Sequence, residues 1–415
     1  MKFSTCFFAG ILSVIVSNAA QASPIQAHTG TDSTRMLVNI VNRSLQRSPD
    51  ILAAQSAVEA ARVRLGGAAL PLNNPEIDVE AERTDINTYQ VGISQTIDWH
   101  DKRSALEQIA QAQLLTAQQQ LAVLQLSKAA ELLDAVGRIA IQTAINHLSL
   151  RRSETMARFS KLAKQRHVAG DISRSELELA RLSQAEADMQ YALTQSELIQ
   201  ANSDFYSLSG ELLAETVELP ASLSIESASR SDNETIARQH PRVQVALLSA
   251  RIAKHQINAA DRNRKADPTL GLSAGREDDH NLLALQFSMP LQIRNSYQSD
   301  VEAARLNALQ AEQQAQQVYW QLRAQLRSAE QRYTVVSKAW RNWLTQGRGS
   351  VQKRINLLET LWRAGEISTT DYLLQVQQTL DTQIAGIELH GKLWNAWLAW
   401  MNSSASLAKW LNTKY

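Results

Sequence analysis

His167-Val168-Ala169-Gly170-Asp171-Ile172-Ser173-Arg174-Ser175-Glu176-Leu177 is a short break between two long helical patterns, and the break occurs twice. From Trp362 to Leu373 the chain reads Trp-Arg-Ala-Gly-Glu-Ile-Ser-Thr-Thr-Asp-Tyr-Leu. Ala-Gly-acid-Ile-Ser therefore returns in the same order, with an acidic residue six positions past each glycine. Gly170 and Gly365 suit the left-handed conformation that ends a helix. Ser173 with Glu176, and Ser368 with Asp371, read as boxes that start the next one. Each copy is predicted to be the tight tip of a helical hairpin.

The arms of those hairpins are long. From about Asp101 to His167 there is no proline and one internal glycine, Gly137, and the returning arm runs from about Arg174 to Leu208, ahead of Gly210. At about 1.5 Å per residue the first arm spans roughly 100 Å. No ordinary globular core accommodates that length, so a coiled-coil-like array is expected. The second hairpin is predicted over about Asn295–Arg363 and Thr369–Leu411, with a local bend where Gly347-Arg348-Gly349 interrupts it.

Upstream of each first arm the apolar period changes from about 3.6 to 2. Ile77, Val79 and Ala81 alternate with Glu76, Asp78, Glu80 and Glu82; after a polar turn, Tyr89, Val91, Ile93, Ile97 and Trp99 alternate with polar residues and Gly92. The second copy has Leu270, Leu272 and Ala274, then Leu283, Leu285, Phe287, Met289 and Leu291. Each reads as a β-hairpin with one apolar face. Before the first lies a helix beginning Ser48-Pro49-Asp50, a favourable start, expected to end at Gly66-Gly67, and before that a short helix from Arg35 to Gln46.

The duplication is regular. Pro49 and Pro241 are 192 positions apart, Pro75 and Pro268 193, Ser94 and Ser288 194, and Gly170 and Gly365 195. Such slow drift marks an internal repeat. The organisation is residues 1–22 a signal peptide, 23–47 an N-terminal segment with a short helix, 48–210 a first repeat, 211–233 a connector and 234–415 a second repeat. The signal reading rests on Lys2, an apolar run ending near Val16, and Ala20-Gln21-Ala22 as cleavage site. The alternative, an uncleaved anchor, is disfavoured because the run is shorter than the roughly 20 residues a spanning helix needs.

Two accounts of the strands stand side by side: a small soluble sheet packed on helices, or strands of outer-membrane type, with Tyr89 and Trp99 where aromatic girdles sit. In a membrane, four strands leave two unpaired edges, which hydrocarbon does not tolerate, so the chain must oligomerise. Eight strands largely fill their interior, whereas twelve leave room for water, so a trimer is the smallest assembly that makes a channel. Glu76, Asp78, Glu80, Glu82 and Asp98 would then face the lumen. They read either as the polar lining of any barrel or as one that favours cations. Glu176 and Asp371 read either as cap residues or as a periplasmic constriction in which Asp371, repeated by three, forms a ring of carboxylates.

The composition excludes several classes. The formal net charge is +1, and no basic block or RNA-binding signature points to nucleic acid. The eight histidines lack zinc-ligand spacing, and no nucleophile elbow, phosphate loop or dinucleotide fingerprint occurs, so no catalytic, cofactor or metal site is expected. His100-Asp101 and Asp279-His280 read as solvated turns. Eight of nine tryptophans lie from Trp320 onward and read as interhelical packing.

The duplicated order of helix, hairpin, long helix, Ala-Gly-acid-Ile-Ser tip and returning helix resembles the TolC-like outer-membrane efflux proteins. Leu72-Asn73-Asn74-Pro75-Glu76-Ile77, Gly92-Ile93-Ser94-Gln95-Thr96-Ile97-Asp98 and Lys102-Arg103 are similar to the CzcC-type heavy-metal efflux branch. The resemblance implies a mostly α fold whose four strands per chain contribute to a trimeric twelve-stranded barrel in outer-membrane lipid, above a periplasmic helical tunnel. It implies an exit duct working with a periplasmic adaptor and an inner-membrane pump of the resistance-nodulation-division class. It also implies adaptor docking at the tips, Val168, Ala169, Gly170, Asp171, Ile172, Ala364, Gly365, Glu366 and Ile367, and a constriction at Asp371. The sequence departs from the pattern at Leu374, where some members carry a second acid, at His100-Asp101, where the branch has two glycines, and in lacking a counterpart to an acylated N-terminal cysteine. Ducts for organic toxicants or secreted proteins share the fold, and a periplasmic coiled-coil adaptor is the rival of another class.

Overall fold

The computed structural model describes residues 32–85, 87–213, 217–225 and 230–411. The expected signal peptide and its cleavage site lie outside them. The order of elements is α1 (Asp32–Arg47), α2 (Pro49–Ala68), β1 (Glu76–Arg83), β2 (Asn87–Thr96), α3 (Lys102–Ala169), α4 (Arg174–Ser209), α5 (Arg230–Gln239), α6 (Pro241–Asn263), β3 (Thr269–Glu277), β4 (His280–Ser288), α7 (Gln298–Asn342), α8 (Arg348–Arg363), α9 (Thr369–Ser403) and α10 (Leu407–Trp410). From α2 to α4 and from α6 to α9 the chain traces the same path twice, as the repeat requires.

The four strands form one antiparallel sheet in the order β1-β2-β3-β4, so β1 and β4 are its edges. The register puts Ile77 opposite Ile93, Ile93 opposite Leu272 and Leu272 opposite Leu285. One face is therefore apolar across all four strands. It lies open in the isolated chain, with Ile77 75% and Leu285 80% exposed. Among the described residues no helix is long and apolar enough to cross a membrane.

Helix α3 has 68 residues, about 100 Å of helix. It pairs with α4, and α7 and α8 pair with α9. The array is not uniformly thin. A substantial core sits partway along it, where Leu37 and Val41 of α1, Leu133 and Val136 of α3, Trp394 of α9 and Leu407 of α10 are fully buried together. A second cluster lies near the tips.

Three expectations are corrected. Gly66 and Gly67 lie inside α2 rather than ending it; a helical glycine costs only about 1 kcal/mol, and Ile51, Val58 and Ala61 on the same helix are buried. The helix expected to reach Leu411 ends at Ser403 as α9, Ala405 takes a positive φ of 56°, and the short α10 follows. The Gly347–Gly349 interruption takes the form of a π-helical turn, Trp343–Gly347, so it begins four residues earlier than the glycines suggest. The Trp343 indole at its start occupies the space that a Cβ on Gly347 or on Gly386 of α9 would need.

Residues 220–224 of the connector are held on the helices. Ring groups on α7 and α9 donate to its carbonyls: His390 Nε2 to Pro220 at 3.0 Å, Trp340 Nε1 to Ala221 at 2.9 Å, Trp397 Nε1 to Ser224 at 3.2 Å, and the Tyr333 hydroxyl to Leu223. Trp340 and His390 stack with centroids 4.4 Å apart. This satisfies backbone acceptors that an irregular segment would otherwise present unpaired.

Candidate pore wall, constriction and hairpin tips

On the polar face of the sheet, Glu76, Asp78, Glu80 and Glu82 all fall on β1, an edge strand. Their partners on β2 are Ser94, Gly92, Gln90 and Thr88, which are uncharged. Ser94 Oγ donates to Asp78 Oδ2 at 3.0 Å, and the Gln90 amide donates to Ser273 Oγ on β3. The four carboxylates thus form a stripe up one strand; on the same side β3 adds only Glu277, beside the turn, and β4 presents Ser288, Gln286, Ala284, Leu282 and His280.

Asp98, expected with these acids, lies past the end of β2. Its Oδ1 accepts from Lys102 N at 2.7 Å and its Oδ2 from Arg103 N at 2.9 Å. The free amides at the start of α3 take its charge, so its structural task is to start the long helix. Ile97 and Trp99 are likewise beyond the strand. Around them a polar junction joins sheet to helices: Lys102 meets Asp267 at 2.8 Å and Arg262 meets Asp101 at 2.8 Å.

Both tips have the conformation their glycines allow. Gly170 has φ 88° and Gly365 φ 78°. Asp171 N donates to Arg166 O and Gly170 N to His167 O, and Glu366 N to Leu361 O and Gly365 N to Trp362 O. Each pair is a Schellman closure. Ser173 and Glu176 cap each other reciprocally. In the second tip Asp371 N donates to Ser368 Oγ at 3.1 Å, and Ser368 Oγ donates to Asp371 Oδ2 at 2.7 Å. Val168, Ala169, Asp171, Ala364 and Glu366 are exposed at the ends, whereas Ile172 and Ile367 are half-buried and pack against the lower core.

The two tips also touch each other, through residues that periodicity did not single out. Phe159, Trp362 and Tyr372 form an aromatic cluster with centroids 4.6 to 5.3 Å apart. The Arg166 guanidinium lies 5.0 Å from the Trp362 ring centroid, and Trp362 Nε1 donates to Thr369 Oγ1 at 3.3 Å. Glu176 is held below the usual carboxylate range, first by the Ser173 backbone amide and then by the Ser173 hydroxyl, with Thr369 of the other tip adding to them. Burial pushes the Tyr372 phenol up to about 12. Higher on the array Arg152 of α3, only 11% exposed, reaches Glu186 of α4 at 3.6 Å and Asp381 of α9 at 3.7 Å. Asp371 is exposed, and so is Leu374 one turn on.

Among the described residues no three His, Cys, Asp or Glu side chains gather as a metal site. His167, His240 and His390 each pair with a backbone carbonyl.

Residues 40–211, which include the first repeat, match the protein family described as Outer membrane efflux protein. Three solved structures similar to the chain extend the likeness over both repeats. The CmeC outer membrane channel of Campylobacter jejuni is 14% identical, with 92% of this chain and 90% of that chain covered and a TM-score of 0.74. The open-state MtrE outer membrane channel of Neisseria gonorrhoeae is 15% identical over 89% and 88%, with a TM-score of 0.75. CusC, described for conformational changes accompanying folding and transmembrane channel formation, is 14% identical over 89% and 92%, with a TM-score of 0.73. At such identities the likeness is one of fold: the chain has the fold of the TolC-like channels, long helical hairpins joined to a four-stranded share of a β-barrel. No curated protein sequence gave a match.

Proposed function

We propose that this chain is the outer-membrane exit duct of a tripartite efflux system, acting as a homotrimer without chemistry of its own. Three four-stranded sheets close into a twelve-stranded barrel in outer-membrane lipid, and the hairpins form a periplasmic tunnel. The carrying observation is the sheet: an apolar face open across all four strands, with unpaired edges at β1 and β4, joined to helices about 100 Å long. Hydrocarbon requires those edges to pair, and identical copies supply the partners. The tips, residues 168–172 and 364–367, dock a periplasmic adaptor carrying substrate from an inner-membrane pump of the resistance-nodulation-division class. Asp371, supported by Glu176, forms the constriction.

Heavy-metal cations are the proposed cargo. The support is the stripe Glu76, Asp78, Glu80 and Glu82, which trimerisation places three times in one lumen, lowering the electrostatic energy of a passing cation. The test is the susceptibility of a deletion strain and its complemented counterpart to zinc, cobalt, cadmium, copper and silver, alongside dyes and detergents. Selective sensitivity to metal ions is expected. Sensitivity to organic compounds alone would discard the metal cargo and keep the duct, and extraction by carbonate without detergent would discard the duct.

A further inference from the structure

We infer that the cavity at the base of the β1–β2 hairpin is the seat for the segment joining β4 to α7 in the neighbouring copy of this chain. The inference rests on the trimeric reading above and assigns residues to its seam.

The cavity holds about 420 Å³ and is lined on one side by the approach to β1, including Pro71, Leu72 and Asn73, and on the other by the exit from β2, including Asp98, Asp101 and Arg103. Closing the sheet sets β4 of one copy beside β1 of the next, because those are the edges. The link leaving β4 therefore lies against the link entering β1, to within the stagger of a tilted barrel.

The link leaving β4 has the form of an insert. Met289–Tyr297 has no helix or strand, and it exposes two large apolar side chains, Leu291 at 77% and Ile293 at 83%, beyond the strand's own apolar face. The equivalent link after β2 is Ile97–Asp101, four residues shorter. Four extra residues reach about 13 Å, enough to cross an adjoining strand about 4.8 Å away. The charged groups of the cavity are already engaged, Asp98 by the Lys102 and Arg103 amides, Asp101 by Arg262 and Arg103 by Ala69 O and Glu107, so chain length and apolar surface carry the placement. Leu72 at 40% exposure and Leu70 at 62% supply the apolar surface for Leu291 and Ile293.

The test is disulfide trapping in outer membranes of cells making the full chain with Cys6, its only cysteine, replaced by serine. Leu72→Cys is paired in turn with Leu291→Cys, Ile293→Cys and Arg294→Cys, and Leu72→Cys with Leu357→Cys near the tips is the control. Within one chain the bases of β1 and β4 are three strand spacings, about 14 Å, apart, beyond disulfide reach. Covalent dimer and trimer bands, lost on reduction and missing from the control, are the expected result. Trimers by mass in detergent with no trapped product at any of the three pairs would overturn the seat and leave the trimer standing. Monomers in both membrane and detergent would overturn the trimeric reading as well.

Discussion

The indole of Trp394 occupies the space that a Cβ on Gly137 would need, and its Nε1 donates to Leu133 O at 3.0 Å. The ring is fully buried. It joins the long helix of the first repeat to the last long helix of the second, so the single glycine in α3 is a seat for a side chain 257 positions away.

Gly137→Ala should therefore be costly although alanine is the better helix former. Displacing a packed indole costs about 1–3 kcal/mol, against a gain in helix propensity of about 1 kcal/mol. Gly66→Ala is the control, because a Cβ there meets nothing within 4 Å. In thermal unfolding followed by circular dichroism, Gly137→Ala is expected to melt lower than the parent and Gly66→Ala slightly higher. Equal midpoints would mean that the ring is not locked in place.

His240 ties the start of α6 to the end of α9: its Nδ1 accepts from Arg242 N at 3.1 Å and its Nε2 donates to Asn402 O at 3.1 Å. The bond from Arg242 N requires Nδ1 to be unprotonated, whereas the bond to Asn402 O survives protonation. Burial, the largest cause, lowers its pKa from the ordinary 6.5, and burial lowers that of His390 in the same way. A histidine whose folded pKa is depressed contributes stability above its unfolded value of about 6.5, and loses it as pH falls through the folded value. The melting temperature is thus expected to fall on acidification below about pH 6.5. His240→Asn retains a cap acceptor but does not titrate, so it should melt lower at neutral pH and show a shallower pH dependence. An unchanged slope would remove His240 from the account.

The repeat, the tips and the apolar faces of the two hairpins were legible because each arises from a local rule. Gly170 and Gly365 enter the left-handed region without the penalty a Cβ brings, and Ile77, Val79 and Ala81 must share a face at period 2. The misses come from contacts distant in sequence. Nothing near Asp98 in the pattern separates it from Glu76 and Asp78; only the start of α3 claims its carboxylate. Gly347 marked the interruption locally, but its beginning at Trp343 was not legible, since the indole also fills space beside Gly386 on another arm. The Arg166–Trp362–Thr369 contact joins the two repeats, and a periodicity within either one carries no information about it.

The tip glycines should separate docking from insertion. At φ 88° and 78° any residue with a Cβ is strained by about 1–2 kcal/mol, and a β-branched one also crowds the closure. Gly170→Val and Gly365→Val are expected to reach the outer membrane in normal amounts but to lose efflux and adaptor capture. Gly170→Asn and Gly365→Asn, which tolerate the left-handed region, should retain most of both. Full efflux in the two valine variants and their combination would rule out docking at the tips.

Asp371 and Leu374 lie one helical turn apart near the start of α9, both exposed, so charge at this end of the tunnel is adjustable from either position. Asp371→Asn keeps the backbone amide that donates to Ser368 Oγ. The loss of a negative charge in the first turn costs about 0.3–1 kcal/mol, too little to unfold a helix of this length. If three copies of Asp371 ring the constriction, their removal lowers the preference for cations. Leu374→Asp raises it by adding a second ring a turn further on. The reversal potential of the purified protein in planar bilayers under a potassium chloride gradient measures that preference directly. Opposite shifts in the two variants are expected. Potentials that match the parent in both would place the selectivity elsewhere, and the β1 stripe from Glu76 to Glu82 would be the next group of carboxylates to neutralise.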